Sequence, residues 1–393
     1  MENNKKFNIL HIDSFEGYGG AQKDISVLLS SIKLTEFSER FNLFVVHNNN
    51  KMLGEELTNL NIPNFSIKMK NFMDIRAIMK IRRFLIDYNI ELINFHSSRD
   101  HFLGGIASLL SGKRIIRVLT RHVAYKISPF KGFLIYRLLT DYFIAVGVFI
   151  KNILIDSLRI EPDKISVIHS PRTYASAPEI LELEAQKEEV RKELGAFAGV
   201  PIVSVIGRLS REKGHLVFLK AARIVLRSGL SLTSTKKDHA GNTPDIKIKF
   251  VIIGEGEMLE KIHEFININN MSDYFILTGF KKDIKKYIYV SDVIVVPSGL
   301  EGMGSIIIES CSLKKAVIAS DVGGIPEIIR DNDTGLLFKN GDYASLAEKI
   351  IYCLNRKNIM ERLGSNCYNK VVNEFDAVKI AKITAMLYLK LLN

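Results

Sequence analysis

The sequence predicts two doubly wound α/β domains in tandem, and three observations carry that prediction. Its 393 residues exceed what one core usually organises and suit two domains of roughly 200 residues or fewer. Short apolar runs alternate with helical periodicity along the chain, as parallel strands joined by crossover helices do. Glycine-rich turns follow several of these runs, at the strand carboxyl ends where such sheets hold ligands against helix N-termini.

In order, Phe7 to Ile12 reads as a buried first strand, followed by a loop to Gly20 and a helix from about Ala21 to Ile32. The loop contains E-G-Y-G-G-A-Q. Gly19 and Gly20 allow a ligand to approach the backbone in front of a helix start. The glycine spacing is neither G-x-G-x-x-G nor a P-loop, and a tight turn without a ligand is the competing reading. Further strands are predicted at Phe41 to Val46, Asn64 to Ile67, Glu91 to Phe95, Ile115 to Leu119, Tyr142 to Val146 and Ile165 to Ile168. His96 stands at the carboxyl end of one, and Thr120, Arg121 and His122 end the next. Tyr125 to Leu139 mixes Lys126, Lys131 and Arg137 with aromatic and aliphatic residues, and Lys68 to Arg83 sets six positive residues against Asp74. Each segment fits a membrane interface or core packing with a solvated basic edge.

His169 to Leu194 changes to a linker and then a strongly charged, solvated helix. This places a domain boundary near residue 170, with domains at 1–170 and 171–375. The second domain opens with the strand Ile202 to Ile206, the loop G-R-L-S-R-E-K-G and a helix from His215. Arg208 and Lys213 can deliver two cations beside one helix N-terminus, which is what a diphosphate leaving group requires. Exposed loop cations are the alternative, and Arg211 fits it. Ser231 to Asp245 reads as an inserted surface loop. The strand Ile248 to Ile253 ends in G-E-G-E at Gly254, and Gly279 and Phe280 follow another strand. Val293 to Ile329 then reads strand, loop, helix, strand, loop, helix. Glu301 is expected in the first loop and Glu309 inside the helix that begins near Gly304, the two facing one pocket. Tyr343 to Asn393 reads as helical throughout.

The pattern P-S-x-x-E-G-x-G, with Glu301 and Glu309 in E-x7-E and V-G-G-I-P-E after it, resembles the donor-site signature of the retaining GT-B glycosyltransferases of family 4. G-R-L-x-x-x-K-G is similar to that family's diphosphate clamp, and the Gly19-Gly20 loop to its G-G-A-x loop. N-F-H-S-S resembles its H-x-H-S-S segment, with Asn94 replacing the first His. T-R-H at residues 120–122 is similar to members acting on lipopolysaccharide or other surface glycans. The resemblance implies a GT-B fold of two Rossmann-like domains around an interdomain cleft, with a last helix, about 376–393, returning to the first. It implies a nucleotide-diphosphate sugar donor, a glycan or glycolipid acceptor and retention of configuration. By the same resemblance, Arg208 and Lys213 bind the diphosphate, and Glu301 with the backbone of Gly302, Met303, Gly304 and Ser305 contacts the sugar. Glu309 holds the ribose, His96 faces the sugar, and the turns at Gly254 and at Gly279 and Phe280 bracket the base. Met303 stands where the family usually has an aromatic residue, and Ser170-Pro171 where it has Asn-Gly.

No Asp-x-Asp at a strand end suggests a metal ion, and a departing phosphate can itself take the acceptor's proton. Neither a metal, a cofactor nor a general base is therefore expected. An epimerase, hydrolase or phosphorylase of the same fold, or a basic module without chemistry, are the rival readings. Two Glu and two cations so placed would be unexplained in the last. Net charge is +11, and residues 1–170 hold 23 Lys and Arg against 16 Asp and Glu. This excess points to anionic partners, a membrane surface among them, while nothing resembles a nucleic-acid module. MENNKKFNIL does not read as a signal, and no apolar run reaches the length of a span. The chain is thus expected to be cytoplasmic, or peripheral at the inner face of the membrane. Cys311, Cys353 and Cys367 have no paired spacing and are expected to be reduced thiols.

Overall fold

The computed structural model describes residues 5–122, 135–197, 199–228 and 248–393. The chain falls into two compact units, Met1–Thr173 with Glu374–Asn393, and Tyr174–Asn373. In the first, β1 (Phe7–Asp13), β2 (Phe41–His47), β3 (Asn64–Ser66), β4 (Leu92–Phe95), β5 (Ile116–Arg121), β6 (Tyr142–Ala145) and β7 (Ile165–Val167) form a sheet ordered 3-2-1-4-5-6-7. In the second, β8 (Ile202–Ile206), β9 (Lys249–Ile253), β10 (Phe275–Leu277), β11 (Val293–Val296), β12 (Ala316–Ser320) and β13 (Leu336–Phe338) are ordered 10-9-8-11-12-13. Every pairing between these strands is parallel. Helices cover both faces of such a sheet, so its strands read as continuous apolar runs: every residue of β8, β9, β11 and β12 is buried. The order reverses between β1 and β4, and again between β8 and β11. At such a switch point the loops leaving the two strands diverge and open a crevice at their carboxyl ends.

The closing helix Ala377–Leu392 belongs to the first unit. Its Ile380, Ala381, Ala385 and Tyr388 share a core with Ile9, Leu29, Val45 and Leu92. The tail is not one helix but three, Tyr343–Leu354, Lys357–Glu374 and Ala377–Leu392. Asp342 starts the first of them and Asp376 the last, accepting Ser345 N and Lys379 N as N-caps, and the first two part at Asn355 and Arg356.

Four expectations need correction or fall outside the described residues. Cys311 and Cys367 form a disulfide, with 5.2 Å between their Cα atoms and a sequence separation of 56. Linear spacing carries no signal for a pair that tertiary packing alone brings together. Cys353 is a buried thiol, pushed up to about 12 by burial. The charged helix, Ala177–Glu193, is not simply solvated. Its Arg191 is buried against the carbonyls of Phe197, Val200 and Val290, and Glu193 accepts from Tyr287 and Lys281. The inserted loop at 231–245 and residues 125–134 of the basic amphipathic segment lie outside the described residues. Of the latter segment's remainder, residues 135–139 are helical, with Tyr136 and Leu139 buried.

Candidate functional site

The second unit brings its predicted residues to one edge of its sheet. β8 leads into Gly207 and Arg208, then a short turn Arg211–Lys213, and Gly214 caps the helix His215–Arg227. β11 leads through Ser298 and Glu301 to Gly304, the cap of the helix Ser305–Ser312. Glu301 is therefore in the loop and Glu309 in the helix, as the sequence predicted. The two loops meet closely. A Cβ on Gly214, whose φ is +71°, would stand 1.8 Å from the carbonyl oxygen of Pro297, so only glycine permits the contact. Gly299 N donates to Glu212 O at 2.7 Å, and Lys213 Nζ lies 2.7 Å from Glu301 Oε2, which also accepts from Ser298 Oγ at 3.0 Å. This pair joins the two sides of the switch point, with Glu301 largely shielded and Lys213 partly so.

The V-G-G-I-P-E turn after β12 packs on the same loop from the other side. Gly324 N donates to Glu301 O at 3.2 Å, and a Cβ on Gly324 would stand 1.9 Å from the oxygen of Gly302. The two glycines thus let one loop lie backbone to backbone on the other, a role the motif alone does not reveal. On the far side, Gly254 N donates to Gly279 O and Gly207 N to Ile253 O, while Phe280 N donates to Glu255 Oε1. The turns after β8, β9 and β10 are laced along one edge, with the Phe280 ring exposed.

The two predicted cations are not equivalent. Arg208 is largely exposed and paired with Glu212 at 2.8 Å, whereas Lys213 is drawn to Glu301. Arg211 is an exposed loop cation, as expected. Met303 is buried, so its side chain belongs to the support of the loop rather than to its surface.

The first unit has its own switch point. Gly19 N donates to Gln22 Oε1, and Gln22 Nε2 to Asp13 Oδ2, fixing the glycine loop at the start of the helix Gly20–Ile32. Asp13 is pushed up to about 7 by burial and the charge of Asp100, and Asp100 up to about 6, chiefly by burial. His96, at the end of β4, is buried within a chain of side chains. Asp24 Oδ2 lies 3.5 Å from His122 Nδ1, His122 Nε2 3.1 Å from His96 Nδ1, His96 Nε2 2.9 Å from His11 Nδ1, and His11 Nε2 3.3 Å from Tyr388 Oη. Asn94 Nδ2 donates to Tyr388 Oη and Thr120 Oγ1 to Asn94 Oδ1, while Arg172 pairs with Asp24.

Burial opposes the charge of Asp24, but Arg172 and His122 together hold its carboxyl below the usual value. A carboxylate only accepts, so His122 donates from Nδ1 to Asp24. Burial depresses His11 to about 3 and His96 well below the usual range, which keeps both rings neutral. With both nitrogens of His96 engaged inside the first unit, neither is left for a sugar hydroxyl. Reading the sequence singled out His122 only as part of a short motif and passed over His11, Asp24 and Arg172. A buried-strand His in H-I-D was the available signal.

Two family models match the chain, Glycosyltransferase Family 4 over residues 38–171 and Glycosyl transferases group 1 over residues 186–370. The chain is 24% identical over 387 residues to the UDP-Gal:alpha-D-GlcNAc-diphosphoundecaprenol alpha-1,3-galactosyltransferase of Escherichia coli, covering 95% of this chain and 94% of that one. It is 24% identical over 326 residues to the capsular polysaccharide biosynthesis glycosyltransferase CapM of Staphylococcus aureus, covering 78% of each. In structure it is similar to Anabaena Alr3699/HepE in complex with UDP and glucose, with a TM-score of 0.80, 19% identity, and 98% and 100% of the two chains covered.

Proposed function

We propose, from the premise that this chain is a glycosyltransferase of the GT-B fold, built of a family 4 and a group 1 domain, that it transfers a sugar from a nucleotide-diphosphate donor to a hydroxyl acceptor with retention and without a metal ion. The observation that carries the reading is the Lys213–Glu301 pair at 2.7 Å across the switch point of the second sheet. The bond from the anomeric carbon to the diphosphate oxygen breaks, its electron pair stays with the diphosphate, and the acceptor oxygen bonds the same face of the carbon. The acceptor's proton passes to the departing phosphate oxygen. Arg208 and Lys213 stabilise the charge gathering there, and the helix N-terminus behind Gly304 adds free N–H groups. Glu301 orients the sugar while holding Lys213 in place, Glu309 holds the ribose, and the Gly254 and Gly279-Phe280 turns flank the base. In the first unit the Gly19-Gly20 loop borders the diphosphate and the acceptor, and His96 is a positioning residue held by His11 and His122.

The names of the E. coli and S. aureus relatives, one with a diphosphoundecaprenol-linked sugar and the other of capsular polysaccharide biosynthesis, support a role in surface glycan assembly, with a glycan or glycolipid acceptor. A product assay tests the reading. Free nucleotide diphosphate released only when acceptor is present, with the new linkage in the donor's anomeric configuration, is the expected result. Release without acceptor identifies a hydrolase, and inversion refutes the mechanism.

A further inference from the structure

The helix Ile75–Asp87 and the turn before it leave an apolar face largely in solvent, although the Phe72 ring meets that of Phe102 edge-on, 6.0 Å between centroids. Phe72, Met73, Ile75 and Met79 are 50%, 84%, 72% and 48% exposed. Packing is done from the opposite side, by Ala77, Ile78, Ile81, Phe84 and Leu85. Residues 75 and 79 are one helical turn apart and share a side, so the four side chains are a grouped patch rather than scattered exposure. Lys68, Lys70, Arg76 and Lys80 border it, all exposed. Nearby Arg83 pairs with Asp87, but these four form no ion pair among the described residues. Asp74, the acid of the stretch, is occupied by the backbone N–H groups of Lys70 and Ala77.

We propose that this face docks the first unit on an anionic lipid bilayer. Exposed Phe, Met and Ile side chains enter the headgroup boundary, and unpaired cations around them meet lipid charge. A second copy of the chain is a poor occupant, since it would set four unpaired cations against four others. The patch is also anchored. Met69 N donates to Asn48 Oδ1, Asn48 Nδ2 donates to Met69 O and Ser14 O, and Arg99 Nη1 donates to Met69 O. These bonds tie the turn after β3 to the loop after β1, at the carboxyl edge that carries the Gly19 loop and His96. Docking goes beyond the transfer reading and stands without it. If both hold, a lipid-carried acceptor is delivered at the edge where it is used.

Co-sedimentation of the full chain with phosphatidylglycerol-containing and with phosphatidylcholine vesicles, at low and high salt, is the test. The parent should bind the anionic vesicles at low salt and release them at high salt. Phe72→Ser/Met73→Ser/Ile75→Ser and, separately, Lys70→Gln/Arg76→Gln/Lys80→Gln should each weaken binding by about tenfold or more. Ile383→Ser/Met386→Ser, at exposed apolar positions on the closing helix, should not change it. Parent-like binding by both test variants, or no binding by the parent, overturns the proposal. So does a parent dimer in sedimentation velocity that the apolar variant abolishes, since the face would then serve a second copy. Transfer to a water-soluble acceptor should be unchanged in all three variants, which separates failure of docking from failure of the transfer reading.

Discussion

Replacing Gly324 by alanine probes the support of the loop proposed to hold the donor, at a residue to which no donor contact is assigned. The backbone there has ordinary helical angles, φ −85° and ψ −1°, so the substitution adds no left-handed strain. Its whole effect is steric. The new Cβ would stand 1.9 Å from the carbonyl oxygen of Gly302, and a tolerable contact requires retreat by about 1 Å or more. That retreat moves the Glu301–Gly302 backbone, because Gly324 N also holds Glu301 O. Overpacking of this kind costs about 1–3 kcal/mol, a fall in Tm of roughly 3–10 °C for a domain of this size. A displacement of about 1 Å at a positioned loop lowers turnover by about a hundredfold. Calorimetry and initial rates at saturating donor measure the two effects. Turnover within about twofold of the parent would refute the claim that this contact sets the loop. Gly323→Ala, at φ +56° and 2.0 Å from Glu301 O, should be worse on both counts.

Lys213→Ala should lower turnover by about a hundredfold or more, and Arg208→Ala should act in the same direction, as removal of a charge-stabilising group does; near-normal rates in both would remove the diphosphate assignment. Activity should survive excess chelator, and loss restored by magnesium or manganese would contradict the metal-independent mechanism. Reducing the Cys311–Cys367 bridge should cost about 4 kcal/mol in the chain-entropy model for a loop of its length, read as a lower Tm with reductant and no reductant effect in Cys367→Ala. His11 is held near 3, against 6.5 in the unfolded chain, so below pH 6.5 the unfolded chain takes a proton that the folded one refuses. Stability should then fall with pH, by about 2 kcal/mol from this residue at pH 5. Denaturation of His11→Gln across this range should show a shallower decline than the parent, and identical slopes would remove His11 as its source.

What was legible in the sequence was whatever is local. The apolar runs that became β8, β9, β11 and β12 announce themselves because strands buried on both faces need no alternation. The turns carrying Arg208, Lys213 and Glu301 are readable because a ligand loop and its helix start are contiguous. What long-range contact decides was not legible. Cys311 and Cys367 meet only because two helices pack. The run of contacts Asp24, His122, His96, His11 and Tyr388 draws on residues from five separate places in the chain, one of them 377 positions from His11. Gly324 looks like an ordinary turn glycine until Gly302 is seen beneath it. The last helix of the tail starts where the Asp376 side chain accepts a backbone N–H group, a competition that apolar periodicity does not register.

The measurement that bears most directly on the central claim is nucleotide-diphosphate binding at the second unit's switch point. Thermal unfolding of the full chain should be followed against a panel of nucleoside diphosphates, with Lys213→Met and Arg208→Met in parallel. A ligand that binds only the native state at a hundredfold excess over its Kd adds about 2.7 kcal/mol, or a rise in Tm of roughly 5–10 °C. The account predicts such a rise for one nucleoside diphosphate with the parent, and its reduction or loss in both variants. A panel without any shift, or a shift that both variants retain in full, would contradict it.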